Sequence, residues 1–104
     1  MDQKFVYLSI GSNIGDKKQN LKNAITRLHK LNKIEVIEVS SFYKTQPQNY
    51  TDQDWFVNAA LKIKTLLDPQ GLLAVLKAVE KELDRDGKPF RFGPRIIDLD
   101  IVCK

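Results

Sequence analysis

Residues 55–83 read WFVNAALKIKTLLDPQGLLAVLKAVEKEL, and within them the spacing of apolar residues changes from two to about 3.6. The alternation over residues 55–64 predicts a strand with one buried apolar face, made of Val57, Ala59, Leu61 and Ile63. Asp68 and Pro69 then predict the start of a helix, as its N-cap and its first residue. The apolar residues that follow at helical spacing are Leu72, Leu73, Leu76, Val79 and Leu83. Gly87 is the predicted stop of this helix. The stretch therefore predicts a half-buried strand followed by an amphipathic helix.

The segments on either side extend this pattern in both directions. They are a strand at Lys4–Ser12, a helix at 17–31 with Asp16 as its N-cap, a strand at 33–43, a polar loop at 45–54, a basic loop at 88–95 and a last strand at 96–103. The order β-α-β-β-α-β predicts an α+β, ferredoxin-like sandwich, in which an antiparallel sheet carries two helices on one face. We expect one domain spanning residues 1–104, with the other sheet face partly uncovered.

The composition narrows the class of protein. The chain has 104 residues, of which 42% are hydrophobic, and this suits one small domain with a single core. A net charge of +4 would attract anions such as nucleotides, phosphorylated metabolites or RNA, although lysines that serve only solubility would give the same value. We expect no membrane segment and no signal peptide. The single cysteine, Cys103, excludes an internal disulfide and a multi-cysteine zinc site, and it favours the cytoplasm.

The segment RFGPRIIDLDI, residues 91–101, carries the most chemical information. In a strand Asp98 and Asp100 share one face, with Cα atoms about 6.6 Å apart, while Ile97, Leu99 and Ile101 share the other. The apolar face should meet the helices, so both carboxylates should project from the uncovered face of the sheet. Two oxygen ligands at that spacing suit magnesium bound to a polyphosphate. The plain alternative is a solvated strand with two aspartates that have no role.

Basic residues surround the two carboxylates in sequence. Arg91 and Arg95 lie in the loop that enters the last strand, and Arg85 and Lys88 precede it. A tight turn at residues 93–94 would fix where Arg95 emerges. Guanidinium groups beside a metal site are suited to binding phosphate oxygens. A generic basic loop is the alternative for each of these residues taken singly.

Three further side chains are candidates for binding. Phe56 and Asn58 share the face of their strand that should also carry the aspartates, so Phe56 could stack on a planar ring while Asn58 binds a heterocycle edge. Phe56 could equally be a buried core residue. Glu80 lies beside the apolar stripe of the second helix, either as an ordinary surface glutamate or within reach of a metal or nucleotide.

Four motifs in order along the chain resemble those of 6-hydroxymethyl-7,8-dihydropterin pyrophosphokinases. They are GSNIGD at 11–16, SSFYKTQP at 40–47, FVNAA at 56–60 and RFGPRIIDLDI at 91–101. The resemblance implies a ferredoxin-like core and an enzyme of folate biosynthesis with two Mg²⁺ ions and ATP as co-substrate. The hydroxymethyl oxygen of the pterin would attack the β-phosphorus of ATP and release AMP. Phosphoryl-type transfer of this kind depends mainly on positioning and charge neutralisation.

The same resemblance implies roles for individual residues. Asp98 and Asp100 would hold both magnesium ions, and Arg95 and Arg85 would contact the phosphates and the developing charge, so these four are the expected catalytic residues. The expected ATP-binding residues are Lys77, Glu80, Arg85, Phe92 and Arg95. The expected pterin-binding residues are Asn13, Thr45, Pro47, Phe56 and Asn58.

The chain also departs from the family pattern. Family members continue beyond the last strand with further aromatic and basic contacts, Phe92 replaces a usual tryptophan, and Gly87 replaces a common arginine. A catalytically weak or inactive nucleotide- and pterin-binding module is therefore the alternative to an enzyme.

An RNA-binding sheet of the same β-α-β-β-α-β order is a third hypothesis. Phe5 and Tyr7 share one face of the first strand, but the aromatic-rich motif of that class is absent from the sequence. We expect ATP and the pterin as partners, no nucleic acid, no membrane, and a monomer or weak homo-oligomer.

Overall fold

The computed structural model describes residues 3–46, 55–84 and 96–103, and the side chain of Cys103 is outside this description. The elements are β1 (Lys4–Ser12), α1 (Lys17–His29), β2 (Ile34–Val39), β3 (Tyr43–Thr45), β4 (Phe56–Thr65), α2 (Pro69–Leu83) and β5 (Asp98–Cys103). Within the described residues, two helices and a five-stranded antiparallel sheet confirm the predicted α+β class and the ferredoxin-like arrangement.

The sheet has the strand order β2-β4-β1-β5, and the short β3 pairs with β4 beyond β2. β1 pairs with the central strand β4 along the whole length of β1, from Lys4 opposite Thr65 to Ser12 opposite Val57. β5 pairs antiparallel with β1. The end of β1, the start of β4 and the start of β5 therefore meet at one end of the sheet.

The core lies between one face of this sheet and the two helices. It is built from alternate residues of the strands and from one stripe of each helix, which together are Val6, Leu8, Ile10, Leu21, Ala24, Leu28, Ile34, Val57, Ala59, Leu61, Ile63, Leu72, Leu76, Val79, Ile97 and Leu99. The predicted buried face of β4 is confirmed, since its four apolar residues are all in this set. Because the helices cover one face of the sheet, side chains on the opposite face are available to bind a ligand.

Both helices begin where the sequence predicts. The side chain of Asp16 accepts a hydrogen bond from the backbone N–H of Gln19 at 3.2 Å, and that of Asp68 accepts one from Gly71 at 2.7 Å. Each aspartate thus satisfies a backbone donor that has no partner inside its helix. α1 ends at His29, two residues before its predicted end, and α2 ends at Leu83. The predicted stop, Gly87, lies outside the described residues.

Two further details of the prediction are wrong. Residues 33–43 do not form one strand, because β2 ends at Val39 and β3 begins at Tyr43. At the break, Ser40 Oγ accepts a hydrogen bond from the N–H of Ala60 at 2.8 Å, so a side chain takes the place of a strand carbonyl. Leu73 is not part of the buried stripe of α2, since 44% of it is exposed.

No helix in the described part of the chain combines the length and the apolar character that crossing a membrane requires.

Candidate active site

The two aspartates of β5 project from the sheet face opposite the helices. Ile97 and Leu99 are fully buried and Ile101 packs against the core, whereas Asp98 is half-buried and Asp100 is exposed. The alternation predicted for this strand is therefore confirmed, and β5 separates its apolar and acidic residues onto opposite faces.

A cleft of about 290 Å³ opens on this face, at the end of the sheet where β1, β3, β4 and β5 meet. Its described lining consists of Ser9, Gly11, Thr45, Gln46, Phe56, Asn58 and Asp98. The strand register explains the grouping, because Gly11 lies opposite Asn58 on one side and opposite Asp98 on the other. The structure thus brings together four of the residues predicted from the sequence, namely Thr45, Phe56, Asn58 and Asp98.

The amide of Asn58 has a fixed orientation within the cleft. Its Nδ2 donates a hydrogen bond to Thr45 Oγ1 at 2.6 Å, and Thr45 lies on β3 opposite Phe56. Its Oδ1 points toward Gly11, where it would be only 2.6 Å from an added Cβ atom. An oriented amide beside the half-buried ring of Phe56 can recognise the edge and the face of a flat polar heterocycle.

Ser9, Gly11 and Gln46 also line the cleft, and no role was predicted for them. Ser9 and Gly11 alternate with the buried Leu8 and Ile10 along β1, so the small residues form the floor between β4 and β5. This alternation of small and large residues was visible in the sequence, but it signals a cleft only when the neighbouring strands are known.

Asn13 follows β1 and is buried in the turn that leads to α1. The turn is held by Asn20, whose Nδ2 donates hydrogen bonds to Ser12 Oγ at 3.0 Å and to the carbonyl oxygen of Ile14 at 2.9 Å. Gly15 adopts a φ of 72°, which glycine tolerates better than other residues. Asn13 is not among the described lining residues of the cleft, although it lies at the same end of the sheet.

The carboxylates of Asp98 and Asp100 fit a hard divalent cation. Magnesium keeps several waters and is commonly bound through one or two carboxylates together with substrate phosphates. Among the described residues no group of three or more histidine, cysteine, aspartate or glutamate side chains is placed to hold a metal. A pair of carboxylates is a donor set that suits a cation which also binds a phosphorylated ligand.

Glu80 occupies a different position from the one expected of a surface glutamate. It is buried on α2 and its Oε2 accepts a hydrogen bond from the backbone N–H of Leu99 at 2.5 Å. Lys77 lies one turn earlier, with its Nζ 3.2 Å from Glu80 Oε1. The two residues predicted to bind ATP on α2 thus contact each other, and Glu80 also contacts the strand that carries the aspartates.

The remaining predicted site residues, Pro47, Arg85, Phe92 and Arg95, lie outside the described residues.

The far end of the open sheet face carries Phe5 and Tyr7, both partly exposed. The ammonium groups of Lys62 and Lys64 lie 4.7 and 5.8 Å from the centroid of the Phe5 ring. This ring already contacts cations of its own chain.

Fold and site together define an α+β protein whose open sheet face holds a polar cleft with an adjoining pair of carboxylates. The family model described as 7,8-dihydro-6-hydroxymethylpterin-pyrophosphokinase matches residues 7–104. The chain belongs to this family.

Similar proteins from distant organisms support the same membership. A 2-amino-4-hydroxy-6-hydroxymethyldihydropteridine pyrophosphokinase of Methylorubrum extorquens is 47% identical over 97 residues, which are 93% of this chain and 61% of that protein. The protein of the same name from Bacillus subtilis is 45% identical over 96 residues, 92% of this chain and 57% of that protein. The folic acid synthesis protein fol1 of Schizosaccharomyces pombe is 46% identical over 99 residues, 95% of this chain and 13% of that protein. The chain therefore spans about three fifths of the two bacterial relatives.

Proposed function

We propose that this chain forms the catalytic core of a pterin pyrophosphokinase, which transfers diphosphate from ATP to 6-hydroxymethyl-7,8-dihydropterin in folate biosynthesis. The observation that carries the proposal is the cleft itself, which is lined by Phe56 and Asn58 on β4 and by Asp98 on β5. A group that can bind a heterocycle and a group that can bind a metal-phosphate thus meet at one end of the sheet. Family membership and the names of the relatives support the same reaction.

In the proposed reaction the hydroxymethyl oxygen of the pterin forms a bond to the β-phosphorus of ATP. The bond between that phosphorus and the oxygen bridging to the α-phosphorus breaks, AMP leaves with the bridging oxygen, and the hydroxyl proton passes to solvent. The chain's own contribution is to hold the two substrates in line, since this chemistry needs no covalent intermediate on the protein.

The pterin is proposed to lie on the side of the cleft formed by β3 and β4. Phe56 would stack on its ring, and Asn58, oriented by Thr45, would bind its edge. Asn13 and Pro47 are proposed to complete this part of the site.

The phosphates are proposed to lie toward β5. Asp98 and Asp100 would hold two Mg²⁺ ions, which when bound would neutralise charge on the phosphate oxygens. Arg85 and Arg95 would add guanidinium contacts to the same phosphates. Lys77, Glu80 and Phe92 are the proposed residues on the nucleotide side. The proposed setting is the cytoplasm, and the proposed state is a monomer or weak homo-oligomer.

The first experiment measures AMP release from ATP and the pterin by the wild-type chain and by Asp98→Ala. We expect Asp98→Ala to lower turnover by about 100-fold or more, because it removes an interaction that neutralises charge in the transition state. Glu38→Ala is the control, since it removes an exposed acid from β2 at a position that does not line the cleft. Normal turnover by Asp98→Ala would contradict the metal assignment. Binding of pterin or nucleotide without turnover by the wild-type chain would instead identify a binding module.

A further inference from the structure

Glu80 is a buried carboxylate on the helix surface that packs against β5. Only 6% of the residue is exposed, and it follows Leu76 by four residues on the buried stripe of α2. Burial of a charged group is costly unless hydrogen bonds replace the lost water. The other buried residues of this stripe are apolar, so the presence of a carboxylate among them calls for an explanation.

The two oxygen atoms of Glu80 have different partners. Oε2 accepts the hydrogen bond from the backbone N–H of Leu99 at 2.5 Å, and Oε1 contacts Lys77 Nζ at 3.2 Å. Hydrogen bonds to an ionised acceptor are shorter and stronger than neutral ones. The side chain of Lys77 is 51% exposed, so the ammonium group remains partly hydrated while it balances the buried charge. Glu80 is therefore tied firmly to the backbone of β5.

The tethered residue, Leu99, lies between Asp98 and Asp100. β5 is an edge strand of the described sheet, where it pairs with β1 on one side only. The backbone groups on the outer side of an edge strand need partners from elsewhere. Glu80 supplies one of them from α2. The segment 98–100 is consequently held by the β1 ladder, by the buried side chain of Leu99 and by Glu80.

We propose that Glu80 is a positioning residue that fixes the backbone between the two aspartates and so sets the separation and direction of their carboxylates. Magnesium demands a narrow coordination geometry, which two carboxylates on an untethered strand would meet less often. In this role Glu80 acts on the two aspartates through the Leu99 N–H and is not itself a metal ligand. This inference rests on the proposed function, in which Asp98 and Asp100 hold the metal.

Two conservative variants distinguish the effect of the side chain's length, which allows the hydrogen bond to Leu99, from the effect of its charge. Glu80→Gln keeps a carbonyl oxygen at the same distance but loses the charge, whereas Glu80→Asp keeps the charge and withdraws it from Leu99. Glu82→Asp is the matched control, since Glu82 lies on the same helix but is exposed and bonds Arg27 instead. The full chain would be titrated with Mn²⁺ plus a non-hydrolysable ATP analogue and followed by electron paramagnetic resonance. Hydrogen exchange of the Leu99 amide would be measured by NMR.

We expect Glu80→Asp to weaken Mn²⁺ binding by about tenfold, as loss of a group that orients a metal ligand does, and to speed Leu99 exchange. Glu80→Gln should keep the slow exchange and bind Mn²⁺ within about threefold of the wild type, and Glu82→Asp should match the wild type in both measurements. A purely structural role would change the unfolding free energy of Glu80→Asp without this loss of Mn²⁺ affinity.

Three results would overturn the proposal. Wild-type Mn²⁺ affinity in Glu80→Asp would show that the aspartates do not need the tether. Loss of Mn²⁺ binding in Glu80→Gln, with the Leu99 amide still protected from exchange, would show that the charge of Glu80 acts on the bound ligand directly. The Glu80→Gln measurement therefore tests the proposal even if Glu80→Asp does not fold. Absence of Asp98-dependent Mn²⁺ binding in the wild type would remove the metal site of the proposed function, and with it this inference.

Discussion

Gly11 is the residue that lets β1 and β4 form the floor of the cleft. A Cβ atom at this position would lie 2.6 Å from Asn58 Oδ1 and 3.4 Å from Phe56 Cδ1. The amide of Asn58 cannot turn away without losing its 2.6 Å hydrogen bond to Thr45. Gly11 therefore leaves room for the orientation of Asn58 that the hydrogen bond to Thr45 sets.

We predict that Gly11→Ala weakens pterin binding by about tenfold, the equivalent of one hydrogen bond, because the methyl group displaces the Asn58 amide. Fluorescence titration of the pterin would measure the dissociation constant. In an Asn58→Ala background the same substitution should cost little more, since the obstructed atom is gone. Additive losses in the double variant would show that Gly11 acts on the ligand by another route.

The face on which a side chain lies is predictable from the sequence where it depends on local alternation alone. Alternation along a strand predicts that Phe56, Asn58 and Asp98 share one face of the sheet, and all three line the same cleft. Gly11 and Glu80 could not be assigned in this way. The constraint on Gly11 comes from pairing with a strand more than forty residues away, and that on Glu80 from a backbone donor 19 residues away.

At the scale of elements, the helix starts are predictable from the sequence, whereas the break within residues 33–43 and the start of β5 at Asp98 rather than at residue 96 are not. The caps at Asp16 and Asp68 depend on residues three positions apart, so they can be read directly from the sequence. The break after β2 depends on Ser40 bonding to Ala60, which is a contact between strands. Tertiary hydrogen bonds of this kind override the β-propensity of residues 33–43.

Thr65 also makes hydrogen bonds between distant segments that the sequence does not reveal. It is the last residue of β4 and is fully buried, and its Oγ1 donates a hydrogen bond to the carbonyl oxygen of Lys33 at 2.6 Å. The same oxygen accepts one from the N–H of Leu67 at 3.1 Å. One hydroxyl thus links the start of β2, the end of β4 and the loop into α2.

We predict that Thr65→Val lowers the free energy of unfolding by about 2 kcal/mol, because it keeps the shape but leaves two backbone groups without their partner. Thr65→Ser retains the hydroxyl and should cost less than about 1 kcal/mol. Urea unfolding followed by circular dichroism would measure both values. Equal destabilisation by valine and serine would indicate that the methyl packing matters and the hydrogen bonds do not.

At the scale of the whole molecule, the residues that stabilise the fold and those of the proposed active site lie on opposite faces of one sheet. The helices and the inward-facing strand residues form the core, while the cleft and the two aspartates lie on the other face. Each strand contributes to both faces, since its side chains alternate. Substitution of a residue that faces the helices should therefore lower the free energy of unfolding. Substitution of its neighbour on the open face should instead weaken binding at the cleft.

Leu99 and Asp100 provide the sharpest test of this division, because they are adjacent on β5 and one is fully buried while the other is exposed. Leu99→Ala should lower the free energy of unfolding by about 3 kcal/mol, through lost burial and the cavity left behind. Asp100→Asn should change it by less than about 1 kcal/mol, as expected at the surface, yet it should weaken Mn²⁺ binding in the presence of the ATP analogue. Urea unfolding and the Mn²⁺ titration on the same preparations give the two readouts. If Asp100→Asn destabilised the chain as much as Leu99→Ala and left Mn²⁺ binding intact, the acidic face of β5 would be structural, and the separation of core and site would be wrong.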